Sequence, residues 1–287
     1  MSFICCARLM FRLRFTALTA FVFCALNNAV ASPVAFSDVL DLRVGADHVS
    51  LPYGAQDQQT LMHLSVDDID ADSVLLIHGG CWSNAYGVDH ALPMAEALVK
   101  LGLDVWAAEY RRVGDIGGGW PGSLDDIKSA VSYVSEITGT SPLLIGHSAG
   151  GHLALKAAED PDLSIRGVVA LAPITDLISY GAETGSCQSM VAKFMGDESY
   201  QPNAVYQAAS VGIEDITAPI KVVIGDADPI VGANQVERFP SEQLWTIPGA
   251  GHFDLIHPET PAFEVVTSTI ELLLKENIRG RTEAQDE

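Results

Sequence analysis

The sequence predicts an α/β fold in which a mostly parallel central sheet carries helices on both faces. Two patterns lead to that reading. Short apolar runs alternate with segments of helical spacing through most of the chain, as strand–helix–strand units require. His78, Glu109, Ser148, Asp228 and His252 each follow directly on such a run or its turn, and ligands on parallel sheets bind beyond the carboxyl ends of the strands. Neither a repeat nor a low-complexity linker divides the chain into two domains.

The elements follow in order. Strand-like pieces at His48 to Pro52 and Thr60 to Val66 flank a turn-rich stretch, Tyr53-Gly54-Ala55-Gln56-Asp57. Ser73 to Ile77 is a short buried strand that ends in His78-Gly79-Gly80. Ala91 to Leu101 has helical spacing, with Leu92, Ala95, Leu98 and Val99 on one side. A strand at Leu103 to Ala108 precedes a helix at Ser123 to Ile137. Ser123 is its expected N-cap, and Asp125 and Asp126 fall in the first turn, where the helix dipole favours acids. Further strands are expected at Leu143 to Ile145, Val168 to Leu171, Lys221 to Ile224 and Leu244 to Ile247, with a closing helix at Thr260 to Lys275. The stretch 175–217 is longer than a connection needs. It holds two short helical patterns, Met190 to Met195 and Val205 to Ser210, and is expected to form a small helical cap.

Residues 1–31 read as a signal peptide. Arg8, Arg12 and Arg14 form a basic region, Phe15 to Leu26 an apolar region too short for a comfortable span, and Ala29-Val30-Ala31 a cleavage signal. The α/β domain is then expected over 32–287, secreted or periplasmic, with no integral membrane segment after cleavage. A start at Met10 would leave this signal complete. The hydrophobic fraction of 48% supports a substantial core, and the net charge of −21 excludes nucleic acid as a partner. Of the five cysteines, Cys5, Cys6 and Cys24 belong to the leader. Cys81 and Cys187 remain, either as buried thiols or as a disulfide tying the loop after the first buried strand to the cap. No cysteine or histidine spacing suggests a metal.

Gly146-His147-Ser148-Ala149-Gly150 lies between an apolar run and a helical one. That is the context of a nucleophile elbow, a turn so tight that its flanks must be glycine. A serine hydroxyl needs a base. His252 is the candidate, on the glycine-rich loop Gly249-Ala250-Gly251-His252-Phe253 after the last strand. His78, His90, His147, His152 and His257 compete, but His147 and His152 lie on the serine's own strand and helix, and the base must come from another loop. The base needs an acid to orient it. Asp228 is the candidate and Asp226 the rival, both in Gly225-Asp226-Ala227-Asp228-Pro229-Ile230-Val231. The amides of Gly80, Cys81 and Ala149 are expected to form an oxyanion hole, with His78 bracing the loop. Trp82 and His147 are candidates for the substrate pocket, Trp82 equally as a structural aromatic.

His78-Gly79-Gly80-x-Trp82, Glu109-Tyr110-Arg111-Arg112, Gly119-Trp120-Pro121, Gly146 to His152, Gly225-x-x-Asp228 and Gly251-His252-Phe253 together resemble the α/β-hydrolase superfamily. They are most similar to its esterase/lipase-like branch, which holds small carboxylesterases, acetyl-xylan and feruloyl esterases, and kynurenine formamidases. The resemblance spans about Tyr53 to Leu274 and implies an α/β-hydrolase fold. It also implies a Ser148–His252–Asp228 triad in the order usual for that fold, a small-molecule ester substrate, and no metal or organic cofactor. It further implies an ion pair between Glu109 and Arg111. An arylformamidase is the alternative enzyme, and a non-catalytic binding protein on the same scaffold the alternative of another class.

Overall fold

Every residue of four neighbouring strands is buried: β3 (Ser73–Ile77), β5 (Leu143–His147), β6 (Gly167–Leu171) and β7 (Ile220–Gly225). Side chains alternate between the two faces of a strand, so both faces of the central sheet are covered. The computed structural model describes residues 32–285; the predicted leader, 1–31, lies outside the described residues. The remaining strands are β1 (Val49–Pro52), β2 (Thr60–Leu64), β4 (Asp104–Ala108) and β8 (Leu244–Ile247). They form one eight-stranded sheet in the order β1-β2-β4-β3-β5-β6-β7-β8. The pairs β1–β2 and β2–β4 are antiparallel and the rest parallel.

The helices are α1 (Phe36–Leu40), α2 (Leu92–Lys100), α3 (Gly122–Thr138), α4 (Ala149–Ala158), α5 (Leu177–Ala182), α6 (Met190–Phe194), α7 (Ala204–Ala209) and α8 (Pro261–Gln285). Helix α2 packs on β4, α3 and α4 pack on each other and on β3, and α8 packs on β6 and β7. Because β3 lies between β4 and β5, consecutive crossovers run in opposite directions from it. Its carboxyl end is therefore a topological switch point, where such sheets open a crevice. Among the described residues no helix is long and apolar enough to cross a membrane.

Two expectations need correction. Helix α3 starts at Gly122, so Ser123 lies inside its first turn and is not the N-cap. Its buried hydroxyl donates to the Arg111 carbonyl at 2.6 Å and accepts from the Gly119 amide at 3.1 Å, tying the helix start to the loop after β4. Arg111 does not pair with Glu109. Its guanidinium donates to Asp126 at 2.6 Å, and the same carboxylate accepts from the Arg111 amide and from Gln59 Nε2. Asp126 sits one helical turn into α3, so sequence distance hid it.

Asp126→Ala should leave the Arg111 amide, the Arg111 guanidinium and the Gln59 side-chain amide without this acceptor. We expect a loss of about 1–3 kcal/mol of folding stability. Urea unfolding measures it, and a change below about 1 kcal/mol would show that the pair is dispensable.

Candidate active site

Ser148 joins β5 to α4 with φ 56° and ψ −117°, a backbone region that residues with a Cβ rarely adopt. The turn closes only because its flanks lack side chains. A Cβ on Gly146 would run into the Gly150 carbonyl, and one on Gly150 into the Ile77 carbonyl at the end of β3. The Ser148 amide donates to the Leu171 carbonyl at 2.8 Å, which fixes the turn to β6. Ala149 opens α4, so its N–H is among those with no partner inside the helix.

The loop after β3 crosses the same crevice. Gly80, Cys81 and Trp82 have φ of 104°, 53° and 55°. Among the described residues no acceptor takes the amides of Gly80 or Cys81. His78 holds the loop's base. Its Nδ1 lies 2.6 Å from the Gly79 carbonyl and its Nε2 3.0 Å from Glu109 Oε1. Both partners are oxygen acceptors, so the ring is held between the loop's own backbone and the Glu109 carboxylate. Arg112 completes the group, pairing with Glu109 at 2.9 Å and with Asp115, and donating to the Tyr86 carbonyl at 2.6 Å. Burial alone would raise the Glu109 pKa. The His78 hydrogen bond, the charges of His78 and Arg112 and the Val88 amide outweigh it and hold the carboxyl below its usual value.

Asp228 and His252 come from the loops after β7 and β8. Asp228 Oδ2 lies 2.7 Å from His252 Nδ1, and both side chains are buried. The other carboxylate oxygen accepts from the Ile230 and Val231 amides at 2.8 and 2.9 Å. Asp226 instead accepts from the Gly249 amide at 2.6 Å, a turn-capping contact. The His252 ring is hydrogen-bonded to Asp228 through Nδ1, and among the described residues Nε2 has no hydrogen-bond partner.

Ser148 and His252 line one cavity of about 260 Å³, together with Gly80, Cys81 and His147. A disulfide joins Cys81 to Cys187, with Cα atoms 5.2 Å apart, and ties this wall to the segment between β6 and β7. A larger groove, about 1220 Å³, lies at the opposite ends of the strands around Asp72, Asp104 and Arg166. Its histidine, His63, is bonded to Asp104 at 2.8 Å, and its serines lie apart from the strained turn of Ser148.

Trp82 does not line the cavity. It is fully buried, stacked on Phe194 at 4.6 Å, with its indole N–H 3.3 Å from His152 Nδ1. It anchors the loop from below. His147 does line the cavity, and its Nε2 donates to the His252 carbonyl at 3.1 Å. Sequence reasoning missed Phe36, Tyr86 and His90 in the wall. Only the aromatic character of Phe36 and Tyr86 hinted at them.

The strand order, the switch-point crevice and the strained serine turn define an α/β hydrolase of the esterase-like branch. Residues 65–243 match the family model BD-FAE, and the chain belongs to that family. Among solved structures, esterase B of Lactobacillus Rhamnosis superposes with a TM-score of 0.69 at 19% identity, over 88% of this chain and 93% of that one. A truncated carbohydrate esterase from gut microbiota gives 0.64 at 17% identity, over 86% and 99%. A kynurenine formamidase of Aspergillus versicolor, avaC, is 30% identical over 112 residues, 34% of this chain and 39% of that protein. A kynurenine formamidase of Meyerozyma guilliermondii is 27% identical over 107 residues, 37% and 40%. The chain thus spans about two fifths of the length of these curated relatives.

Three buried histidines make the fold acid-sensitive. His152 Nε2 donates to the Ala209 carbonyl at 2.8 Å, so Nδ1 must stay a bare acceptor for Trp82. Burial, with a smaller push from Lys156, lowers its pKa to about 4. Burial and the neighbouring His78 lower that of His90 to about 3, and burial and His252 hold His147 well below its usual value. Between pH 6.5 and about 4 the unfolded chain therefore binds more protons than the folded one, and stability falls as pH falls. We expect the urea midpoint to drop through that window. His152→Gln should flatten the slope by up to about 1.4 kcal/mol per pH unit. An equal slope in the variant would exclude His152 as a source.

Proposed function

We propose that the chain is a serine hydrolase cleaving small carboxylic esters. Membership of an esterase-like hydrolase family supports hydrolase activity. The observation that carries the finer reading is the buried Asp228–His252 hydrogen bond, whose histidine shares a cavity with a serine on a strained turn. In this reading Ser148 Oγ attacks the ester carbonyl while His252 Nε2 takes its proton. The C–O bond to the leaving alcohol then breaks, and His252 gives that oxygen the proton. Water, giving its proton to His252, then attacks the acyl carbon, the bond to Ser148 Oγ breaks to release the acid, and His252 returns the proton to Ser148. Asp228 fixes the tautomer of His252 and stabilises its charged form. The amides of Gly80, Cys81 and Ala149 receive the oxyanion, each worth about 3–4 kcal/mol in the transition state. No step calls for a metal or an organic cofactor.

The segment 175–217 acts as a cap in this proposal, contributing Thr184 to Gln188 to the cavity wall. Export through the 1–31 leader fits the Cys81–Cys187 disulfide, since such bonds persist in oxidising compartments. The local similarity to kynurenine formamidases gives an arylformamidase as the second reading. Rates on p-nitrophenyl esters, acetylated xylan and N-formylkynurenine separate the two. Preference for the formyl amide by more than tenfold in kcat/KM would favour the second.

Ser148→Ala should abolish ester hydrolysis and leave folding intact, because a smaller side chain still suits the turn. Near-native turnover by the purified variant would remove Ser148 from the mechanism.

Asp228→Asn should lower kcat on the order of 10⁴-fold by favouring the wrong imidazole tautomer. Asp226→Asn should cost far less, since its role is to cap a turn. A reversed ranking would transfer the acid's role to Asp226.

A further inference from the structure

We propose that the segment Pro33–Phe36 is a working part of the site. Phe36 limits the length of the group held beside Ser148, and Asp254 fixes the segment to the His252 loop. The inference rests on the serine-hydrolase reading and adds a specificity element to it.

The carboxylate of Asp254 is the joint. Its Oδ2 accepts from the Val34 amide at 3.0 Å and from the Gly251 amide at 3.0 Å. Gly251 directly precedes His252, so one oxygen binds the start of the domain to the loop of the proposed base. The far side of Asp254 is fixed as well, because its carbonyl accepts from the Thr260 hydroxyl at 2.6 Å. Pro33 lies so close that a Cβ on Gly251 would come within 2.5 Å of the Pro33 Cβ. A glycine here lets the Pro33 ring pack directly on the backbone of the His252 loop.

From that anchor the chain turns into α1, which presents Phe36 to the cavity. The ring is half-buried. It meets Tyr86 edge-on at 5.5 Å, His90 edge-on at 5.4 Å and Phe253 at a tilt, 5.3 Å away. All four line the cavity that holds Ser148. Val39, 1% exposed, secures the other end of α1 in the core. An aromatic ring held at both ends in a cavity of about 260 Å³ is a steric limit. Replacing it with a methyl group opens room for several methylene groups.

The test is the rate at which alkyl fluorophosphonates of increasing chain length, methyl to octyl, label Ser148 in the purified protein. Phe36→Ala should raise the octyl-to-methyl rate ratio at least about tenfold, since a methylene in an apolar pocket is worth roughly 10–200-fold. Asp254→Ala, which releases the Val34 amide, should shift the ratio in the same direction. Asp254→Asn keeps an acceptor oxygen and should restore the native order. A merely structural role would lower the unfolding midpoint and change every chain length by the same factor. If both alanine variants show that parallel change, or none, the proposal is wrong while the serine-hydrolase reading stands. If no phosphonate labels the native protein, that reading fails and the proposal with it.

Discussion

The backbone of Ser148 sits at φ 56° and ψ −117°, a conformation that costs on the order of 1–3 kcal/mol. Much of the molecule serves to keep it there. The amide is held by β6, and the turn is closed by carbonyls of β3 and α4 that leave no space for a side chain at either flank. Both anchoring strands are buried along their whole length, so the strained turn cannot relax without breaking the central sheet. Ala172, at φ 42°, continues the strain at the end of β6, and its amide is taken by the Val223 carbonyl of β7. Strain thus gathers where the strands end, and the aliphatic interior between them supplies the compensating free energy.

The loop after β3 reaches a comparable end by other means. Three successive residues with positive φ turn the amides of Gly80 and Cys81 away from the fold's own acceptors. The loop is held below by Trp82 against Phe194 and His152, behind by His78 and Glu109, and at the side by the bond to Cys187. The histidines around the loop divide between these tasks. His78 faces two acceptors next to a carboxylate. His90, His147 and His152 are kept uncharged by burial. A neutral ring can serve as a wall or an acceptor without an unpaired charge in the interior.

The sheet was legible because its strands are short apolar runs, several of them closed by glycine, and that pattern depends on neighbours in the chain. The expected strands at Ser73 to Ile77 and Leu244 to Ile247 match β3 and β8 residue for residue, and the others differ by one or two positions at their ends. Helices α1 and α5 were not foreseen, although α6 and α7, of the same lengths, were. Partner choice was the least legible property. Glu109-Tyr110-Arg111-Arg112 contains two adjacent arginines, and only the fold decides that Arg112 meets Glu109 while Arg111 turns to Asp126. Trp82 was ambiguous for the same reason, because a glycine-rich loop gives no period from which its direction follows. Sequence left Asp226 and Asp228 as rivals two residues apart, and three dimensions separate them: one caps Gly249 and the other meets His252.

The bond between Val34 and Asp254 bears on how the protein can be handled. Val34 is bonded through Asp254 to the loop that carries His252 and lies two residues before Phe36, which lines the cavity. An affinity tag or an immobilising linker placed just ahead of Pro33 would be tethered at the cavity mouth, where it would compete with whatever enters. The same attachment beyond α8 joins a helix that packs on β6 and β7 and contributes no residue to the cavity wall.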